Sequence, residues 1–156
     1  MNRLILIGAI AGAGVPFLAA IAMFIWILIH STPDGIAPGE IAVRGVWWFI
    51  AIGVGAGIES ASSLAIWGRM RRGENIPGLT RLAFQLVIPW LVTLILVLIF
   101  GSTVPVLQTA ANGASMELTD FFVMGGMMGF IAVFLGAFAD AIAQSNLERA
   151  AGIRRE

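Results

Sequence analysis

Four long apolar stretches, separated by short polar segments, dominate the hydrophobic pattern of the chain. They cover residues 4–29, 45–68, 82–101 and 121–143, and acidic side chains occur within them only at Glu59 and Asp140. A helix crosses the roughly 30 Å hydrocarbon core of a membrane with about 20 apolar residues. Each stretch is therefore predicted to be a transmembrane helix. We expect one all-α domain over residues 1–156, an up-down bundle of four such helices.

Arginine placement predicts the orientation of this bundle. Arg3, the arginines of the turn at 69–81 and those of the tail at 144–156 share one side, and only Arg44 lies on the other. Because positively charged segments stay cytoplasmic, both termini and the turn are predicted to face the cytoplasm. The first stretch is longer than the apolar part of a signal peptide, so we expect it to be retained.

Composition excludes several classes of function. The chain is 59% hydrophobic and 12% charged, with a formal net charge of zero, so no basic excess attracts nucleic acid. It has no cysteine and one histidine, which rules out disulfides, zinc fingers and iron–sulfur clusters. No metal, cofactor or catalytic constellation is predicted, and we expect a protein that is not an enzyme. His30 is predicted at the membrane interface, with a single axial ligand to a pigment or haem as the alternative.

Pairs of glycines four residues apart mark three of the predicted helices. This spacing places both members on one helix face, and transmembrane helices associate by close contact at small residues. The faces indicate packing inside the bundle or, alternatively, a surface that docks another membrane subunit or a second copy. The pairs are Gly8 and Gly12, Gly53 and Gly57, and Gly125 and Gly129.

Glu59 lies near the middle of the second predicted helix. A charged side chain at that depth costs at least ~2.5–3.5 kcal/mol, so it is expected to face protein or water. Ser62 and Ser63 follow three and four residues later, on the same face. In a functional interpretation Glu59 binds a proton or a cation, with Gln85 and Asp140 extending a half-channel or water-filled vestibule. In a structural one, Glu59 donates a hydrogen bond across helices.

Further polar and flexible side chains are candidates for contacts at the membrane surface. Asp140, Gln144 and Glu148 are spaced by four, so they share a face as the last helix leaves the membrane. They are expected to pair with the arginine turn at the surface. That turn is also predicted to hold anionic lipid head groups. Methionines of the last helix either fill gaps or line a site for the tail of a lipid, quinone or carotenoid. The arginines are Arg69, Arg71, Arg72 and Arg81, and the methionines are Met124, Met127 and Met128.

The turn between the second and third predicted helices reads WGRMRRGE from Trp67 to Glu74, and Arg81-Leu82 then opens the third helix. It resembles the cytoplasmic hairpin of a widespread family of small bacterial four-helix membrane proteins of unknown function. The segment from Asp140 to Glu148 is similar to the polar tail that follows the family's last helix. The resemblance covers these short stretches and implies the four-helix plan and a bacterial inner membrane. It implies no activity and carries no functional residues.

Two functions are predicted from these features. The first is a non-catalytic accessory or structural subunit that packs against a larger bacterial inner-membrane complex, because small-residue faces are present and little chain lies outside the membrane. The alternative is a small proton- or cation-coupled transporter that uses Glu59. Under either function, the predicted partners of the protein are membrane lipids and other membrane subunits or a second copy. All nine basic residues are arginine, which suggests a GC-rich bacterial genome.

The orientation is testable with single introduced cysteines, since the chain has none of its own. A cysteine at Gly35 or Gly113 should react with an impermeant maleimide added to intact spheroplasts, because both positions are predicted to lie outside. A cysteine at Gly73 should react only after the cells are opened. Labelling in the reverse pattern would refute the predicted orientation.

Overall fold

The computed structural model describes residues 2–30, 36–103 and 118–151, all of whose regular structure is helical. Gly35 and Gly113, the proposed outer labelling positions, lie outside these ranges. The third long helix is one continuous run over 78–103, which we call the third span. The elements are α1 (Asn2–His30), α2 (Ile36–Met70), α3 (Gly78–Leu82), a π-helical turn (Ala83–Val87), α4 (Ile88–Thr103) and α5 (Leu118–Ala150).

Four helices of the described chain are long and apolar enough to cross a membrane. The prediction of an all-helical architecture with four span-length helices is therefore confirmed, and the chain has the make-up of a multi-pass membrane protein. The qualifying segments are Arg3–Trp26, Val46–Met70, Gly78–Ile99 and Thr119–Ala150.

Two helices extend beyond their predicted ends. The linker expected at 30–44 is helical from Ile36 onward, although it contains Pro38 and Gly39. Proline is compatible with the first turn of a helix because the amides there have no partner within the helix. The last helix continues past Ala143 to Ala150, since neither glycine nor proline interrupts those residues.

A glycine ends α2 at the predicted turn. Gly73 has a φ of +81°, a left-handed conformation that glycine adopts without steric cost. The amide of Gly73 donates to the carbonyl of Met70 at 2.9 Å, and that of Glu74 donates to the carbonyl of Arg69 at 3.2 Å. These two bonds form a Schellman motif, which reverses the chain into the third span.

The third span contains a π-helical turn close to its proline. The turn, Ala83–Val87, ends two residues before Pro89. Proline cannot donate a backbone hydrogen bond, and a wider turn nearby accommodates the interrupted bonding ladder. The Thr93 hydroxyl donates to the Pro89 carbonyl at 2.9 Å. In α1 the helix continues through Pro16.

Helix α2 is the centre of the bundle. It packs against α1, α4 and α5, and 61% of its most apolar window is buried, compared with 22–28% in the other three spans. The backbones of α1 and α2 approach each other closely where these two helices pack together. A Cβ atom added at Gly8 would lie 2.5 Å from the carbonyl oxygen of Ser60, and one at Gly12 would overlap the carbonyl oxygen of Ala56.

The other small-residue positions also receive neighbours from within the chain. A Cβ atom at Gly53 would lie 3.0 Å from the Phe17 ring, and one at Gly57 would lie 3.3 Å from the Ala13 methyl group. On α5, Leu94 packs against Gly125 and the indole of Trp90 packs against Gly129. All three glycine faces therefore serve packing inside the bundle.

Replacing Gly12 by alanine should loosen the contact between α1 and α2. The added methyl group meets backbone atoms, which cannot rotate away, so the free energy of unfolding should fall by roughly 1–3 kcal/mol. Gly14→Ala is the matched control, because a Cβ atom there meets nothing within 4 Å. Reversible unfolding in mixed micelles measures both variants. Equal effects at the two positions would contradict the packing described.

Candidate functional site

Glu59 is buried inside the bundle. It is 3% exposed and lies on the face of α2 that meets α5. Its Oε2 atom has no hydrogen-bond partner among the described residues. Buried polar atoms are normally paired, because an unmade hydrogen bond in an apolar environment costs free energy. The unpaired oxygen is therefore the most unusual polar group at this interface.

A glycine on α5 makes room for this carboxyl group. A Cβ atom added at Gly136 would lie 2.6 Å from Oε2 of Glu59 and 2.7 Å from the carbonyl oxygen of Ala56. Both distances are shorter than a van der Waals contact. Any larger residue at position 136 would displace the acid or separate α2 from α5.

A second acid, Asp140, lies one turn further along α5. It is 7% exposed and lies four residues after Gly136, the residue that faces Glu59. The Ser63 hydroxyl donates to its Oδ2, and the Gln144 amide donates to its Oδ1. The Gln85 amide in turn donates to Ser63 Oγ at 2.9 Å. We call Glu59, Ser63, Gln85, Asp140 and Gln144 the carboxyl cluster.

Helical spacing positions the members of the carboxyl cluster. Glu59 and Ser63 are four residues apart on α2, and Asp140 and Gln144 are four apart on α5, so each pair shares one face. Gln85 lies in the π-helical turn and contributes the third helix to the cluster. Three separate helices are thereby joined by polar side chains at one depth of the bundle.

The predicted polar site is only partly reproduced. Four of its members are brought together, but Ser62 lies on another face of α2 and lines a surface groove with Ala65 and Arg69. Successive residues of a helix differ by about 100° in direction, so adjacent serines cannot face the same neighbour. Ser60, which was not predicted, is fully buried against α1, and its hydroxyl also has no partner among the described residues.

The expected pairing of Asp140 with the arginine turn is wrong. Asp140 stays inside the bundle because Ser63 and Gln144 satisfy both of its oxygens. Its spacing of four from Gln144 identified the shared face, but not the depth at which that face would be buried. The sequence pattern therefore allowed two positions for this acid, near Glu59 and at the membrane surface, and the structure has it in the first.

The arginines of the turn have partners of their own. Arg69 and Arg72 both pair with Glu74, at 3.3 and 3.1 Å. The guanidinium of Arg71 lies 4.9 Å from the centre of the Trp67 ring, and Arg81 donates to the carbonyl of Ile76 at 3.2 Å. The predicted lipid head-group arginines thus form a cationic surface around the end of α2.

Close packing separates Glu59 from the opposite end of the bundle. One turn before it, a Cβ atom at Gly55 would overlap the hydroxyl oxygen of Thr93 and lie 2.9 Å from the Ala132 methyl group. Thr93 and Ala132 are both fully buried. Beyond this layer, the Trp90 indole donates to the carbonyl of Gly126 at 3.0 Å. The polar path among the described residues therefore leads toward the end of α5 and not toward its start.

The methionines proposed as ligand candidates lie apart from this site, nearer the start of α5. Met127 is 62% exposed, while Met124 and Met128 are half-buried. His30 is the last residue of α1, and its side chain lies outside the described part of the structure. Among the described residues no group of three or more His, Cys, Asp or Glu could hold a metal ion. Two carboxyl groups with a nearby hydroxyl group suit a proton or a monovalent cation.

Two buried serines three residues apart on α2 should respond in opposite ways to removal of the hydroxyl group. Ser63→Ala leaves Gln85 and Asp140 without a shared partner and should lower the free energy of unfolding by about 1–2 kcal/mol. Ser60→Ala removes an unpaired hydroxyl group and should leave stability unchanged or raise it by up to ~1 kcal/mol. The free energies of unfolding of the two variants can be compared by reversible unfolding in mixed micelles. A larger loss for Ser60→Ala than for Ser63→Ala would contradict the hydrogen-bond assignment.

No family model, curated protein or solved structure matches the chain. The resemblance of the turn from Trp67 to Glu74 to a family of small four-helix membrane proteins stays a prediction. What the protein does is therefore inferred from the geometry of the carboxyl cluster.

Proposed function

We propose that this protein is a small proton- or cation-coupled transporter of the bacterial inner membrane, with the carboxyl cluster as its ion-binding site. The observation that supports the proposal is the buried Oε2 of Glu59, which has no partner in the described part of the chain and lies near a second buried acid. An ionised carboxylate without a partner is costly in an apolar interior. A bound proton or cation at Glu59 removes that cost.

Asp140 strengthens the case for an ion. Two ionised carboxylates inside a bundle repel each other, and one positive charge held between them relieves the repulsion of both. Asp140 is anchored by Ser63 and Gln144, whereas Oε2 of Glu59 is not anchored by any described residue. The anchored acid positions the ion, and the unanchored acid gains or loses it.

The layout of the cluster favours access from one side. Gln144 and Asp140 lie on the part of α5 that approaches its last residue, Ala150. In the other direction Thr93 and Ala132 pack tightly next to Gly55. The arginine distribution favours a cytoplasmic location for the accessible end. Ions would then exchange with the cytoplasm through Gln144 and Asp140, and transport requires the layer at Thr93 to open.

The accessory-subunit interpretation has less support than it had from sequence. One of its grounds was the presence of small-residue faces available to another subunit. In the structure these faces receive side chains and backbone of the same chain, as Gly12 does from Ala56 and Gly129 does from Trp90. In the carboxyl cluster, in contrast, Oε2 of Glu59 has no hydrogen-bond partner among the described residues. We therefore place the ion-coupled transporter first and the accessory subunit second.

Glu59→Gln is the central test. Glutamine keeps the shape of the side chain but cannot bind a proton and carries no charge for a cation. In proteoliposomes with an imposed gradient and an interior dye for H⁺ or Na⁺, wild-type protein should admit one of the two ions. The variant should fold and insert, yet its flux should fall to that of protein-free liposomes.

Glu74→Gln is the matched control, since it makes the same chemical change in the exposed turn, where Glu74 pairs with Arg69 and Arg72. Its flux should equal that of the wild type. The two dyes distinguish a proton from Na⁺. Wild-type proteoliposomes that admit neither ion, together with a fully assembled Glu59→Gln variant, would eliminate the ion-carrier proposal.

Native electrophoresis in mild detergent separates the two proposed functions. As a transporter, the protein should migrate by itself or as a small homo-oligomer, because its bundle buries its own small-residue faces. Mass spectrometry of co-migrating bands would identify any larger complex. Stable co-migration of all the protein with one large assembly would favour the accessory subunit instead.

A further inference from the structure

A groove on the outside of the bundle lies apart from the carboxyl cluster. It has a volume of about 300 Å³ and runs between the start of α1, the last turns of α2 and the start of the third span. Its edges include Ile5 and Phe84, which are 40% and 45% exposed. Because these apolar edges are exposed within helices of spanning length, the groove faces the region where lipid chains would lie.

The lining of the groove changes along α2 from small side chains to a charged one. Small side chains at Ser62 and Ala65 leave space between the helices, and Arg69 lies at the end where α2 finishes. Ser62 and Arg69 are seven residues apart, about 10 Å along a helix. Thr80 adds a hydroxyl group near the start of the third span. The groove thus joins an apolar channel to a cationic, hydrogen-bonding rim.

The charge of this rim is not neutralised by the surrounding turn. Residues 69–81 contain four arginines and one glutamate, and that glutamate, Glu74, is shared by Arg69 and Arg72. Arg69 contacts Glu74 through Nε, one of the five N–H donors of a guanidinium group. Further donors and an excess of positive charge are present at the mouth of the groove.

We propose that this groove binds one anionic phospholipid, with an acyl chain along Ala65 and the phosphate at Arg69. Guanidinium groups bind phosphate oxygens strongly and with defined geometry. The Thr80 hydroxyl is placed to donate to an ester carbonyl of the same lipid. The guanidinium of Arg71 lies over the ring of Trp67, two residues before Arg69. Tryptophan and arginine together are typical of the membrane interface. The site is independent of the carboxyl cluster and of any transport.

Native mass spectrometry tests the site on protein released from nanodiscs that contain equal amounts of phosphatidylglycerol and phosphatidylcholine. Wild-type protein should retain one phosphatidylglycerol in preference to phosphatidylcholine. Arg69→Gln should reduce that preference about fivefold, the effect of one interfacial arginine on an anionic lipid. Arg71→Gln is the matched control and should retain the preference, because Arg71 lies over Trp67 and does not line the groove.

A second variant tests the acyl-chain part of the site. Ala65→Phe should fill the groove and reduce the single-lipid adduct of both lipids, while circular dichroism and thermal unfolding confirm that the bundle still forms. Equal retention of the two lipids by wild-type protein would overturn the proposal, as would equal losses in Arg69→Gln and Arg71→Gln. Undiminished phosphatidylglycerol binding by Ala65→Phe would show that only the head group is held, which also overturns it.

Discussion

Contact between helix backbones at glycines is the interaction on which the rest of this bundle depends. Lipid chains are as apolar as transmembrane helices, so a membrane supplies no hydrophobic force that would associate such helices. The seam between α1 and α2 shows this most directly, since a methyl group at Gly8 or Gly12 would meet backbone atoms of Ser60 or Ala56. Such closeness brings α2 to the centre of the bundle. In that position a helix can carry an acid on a face that other helices enclose.

The carboxyl cluster follows from that central position. Helix α2 presents Glu59 and Ser63 to α5, while the π-helical turn brings Gln85 to the same depth. Three helices share the cost of burying polar groups by bonding them to each other. The bonds satisfy Asp140 but leave one oxygen of Glu59 without a partner among the described residues. Packing and polar chemistry are linked here, because Gly136, which lets α5 approach α2 closely, also leaves the space that the Glu59 carboxyl group occupies.

The sequence predicted the larger features because they depend on patterns that repeat along the chain. Long apolar runs determine the four helices, and a spacing of four identified the faces that carry Gly12 and Asp140. The pattern could not decide whether Asp140 joins Glu59 or pairs with the arginine turn, and it did not separate Ser62 from Ser63. Both outcomes depend on how far one helix is rotated against another. The π-helical turn also escaped prediction, because Pro89 indicates an interrupted helix without specifying where the extra residue is accommodated. The helical start at Ile36 was missed because Pro38 and Gly39 are typical of connecting loops, although proline is also accepted in the first turn of a helix.

The close contact at Gly136 restricts which residues can occur together at positions 136 and 59. A methyl group there would lie 2.6 Å from Oε2 of Glu59, so an evolving population cannot enlarge position 136 while the acid stays where it is. If Glu59 were replaced by a residue other than glycine, the contact with Oε2 would disappear. The Cβ atom at position 59 and the carbonyl oxygen of Ala56, both at 2.7 Å, would still oppose a side chain at position 136. Related chains are then expected to keep a small residue at 136 wherever the two helices approach this closely, and to do so most strictly where position 59 is acidic.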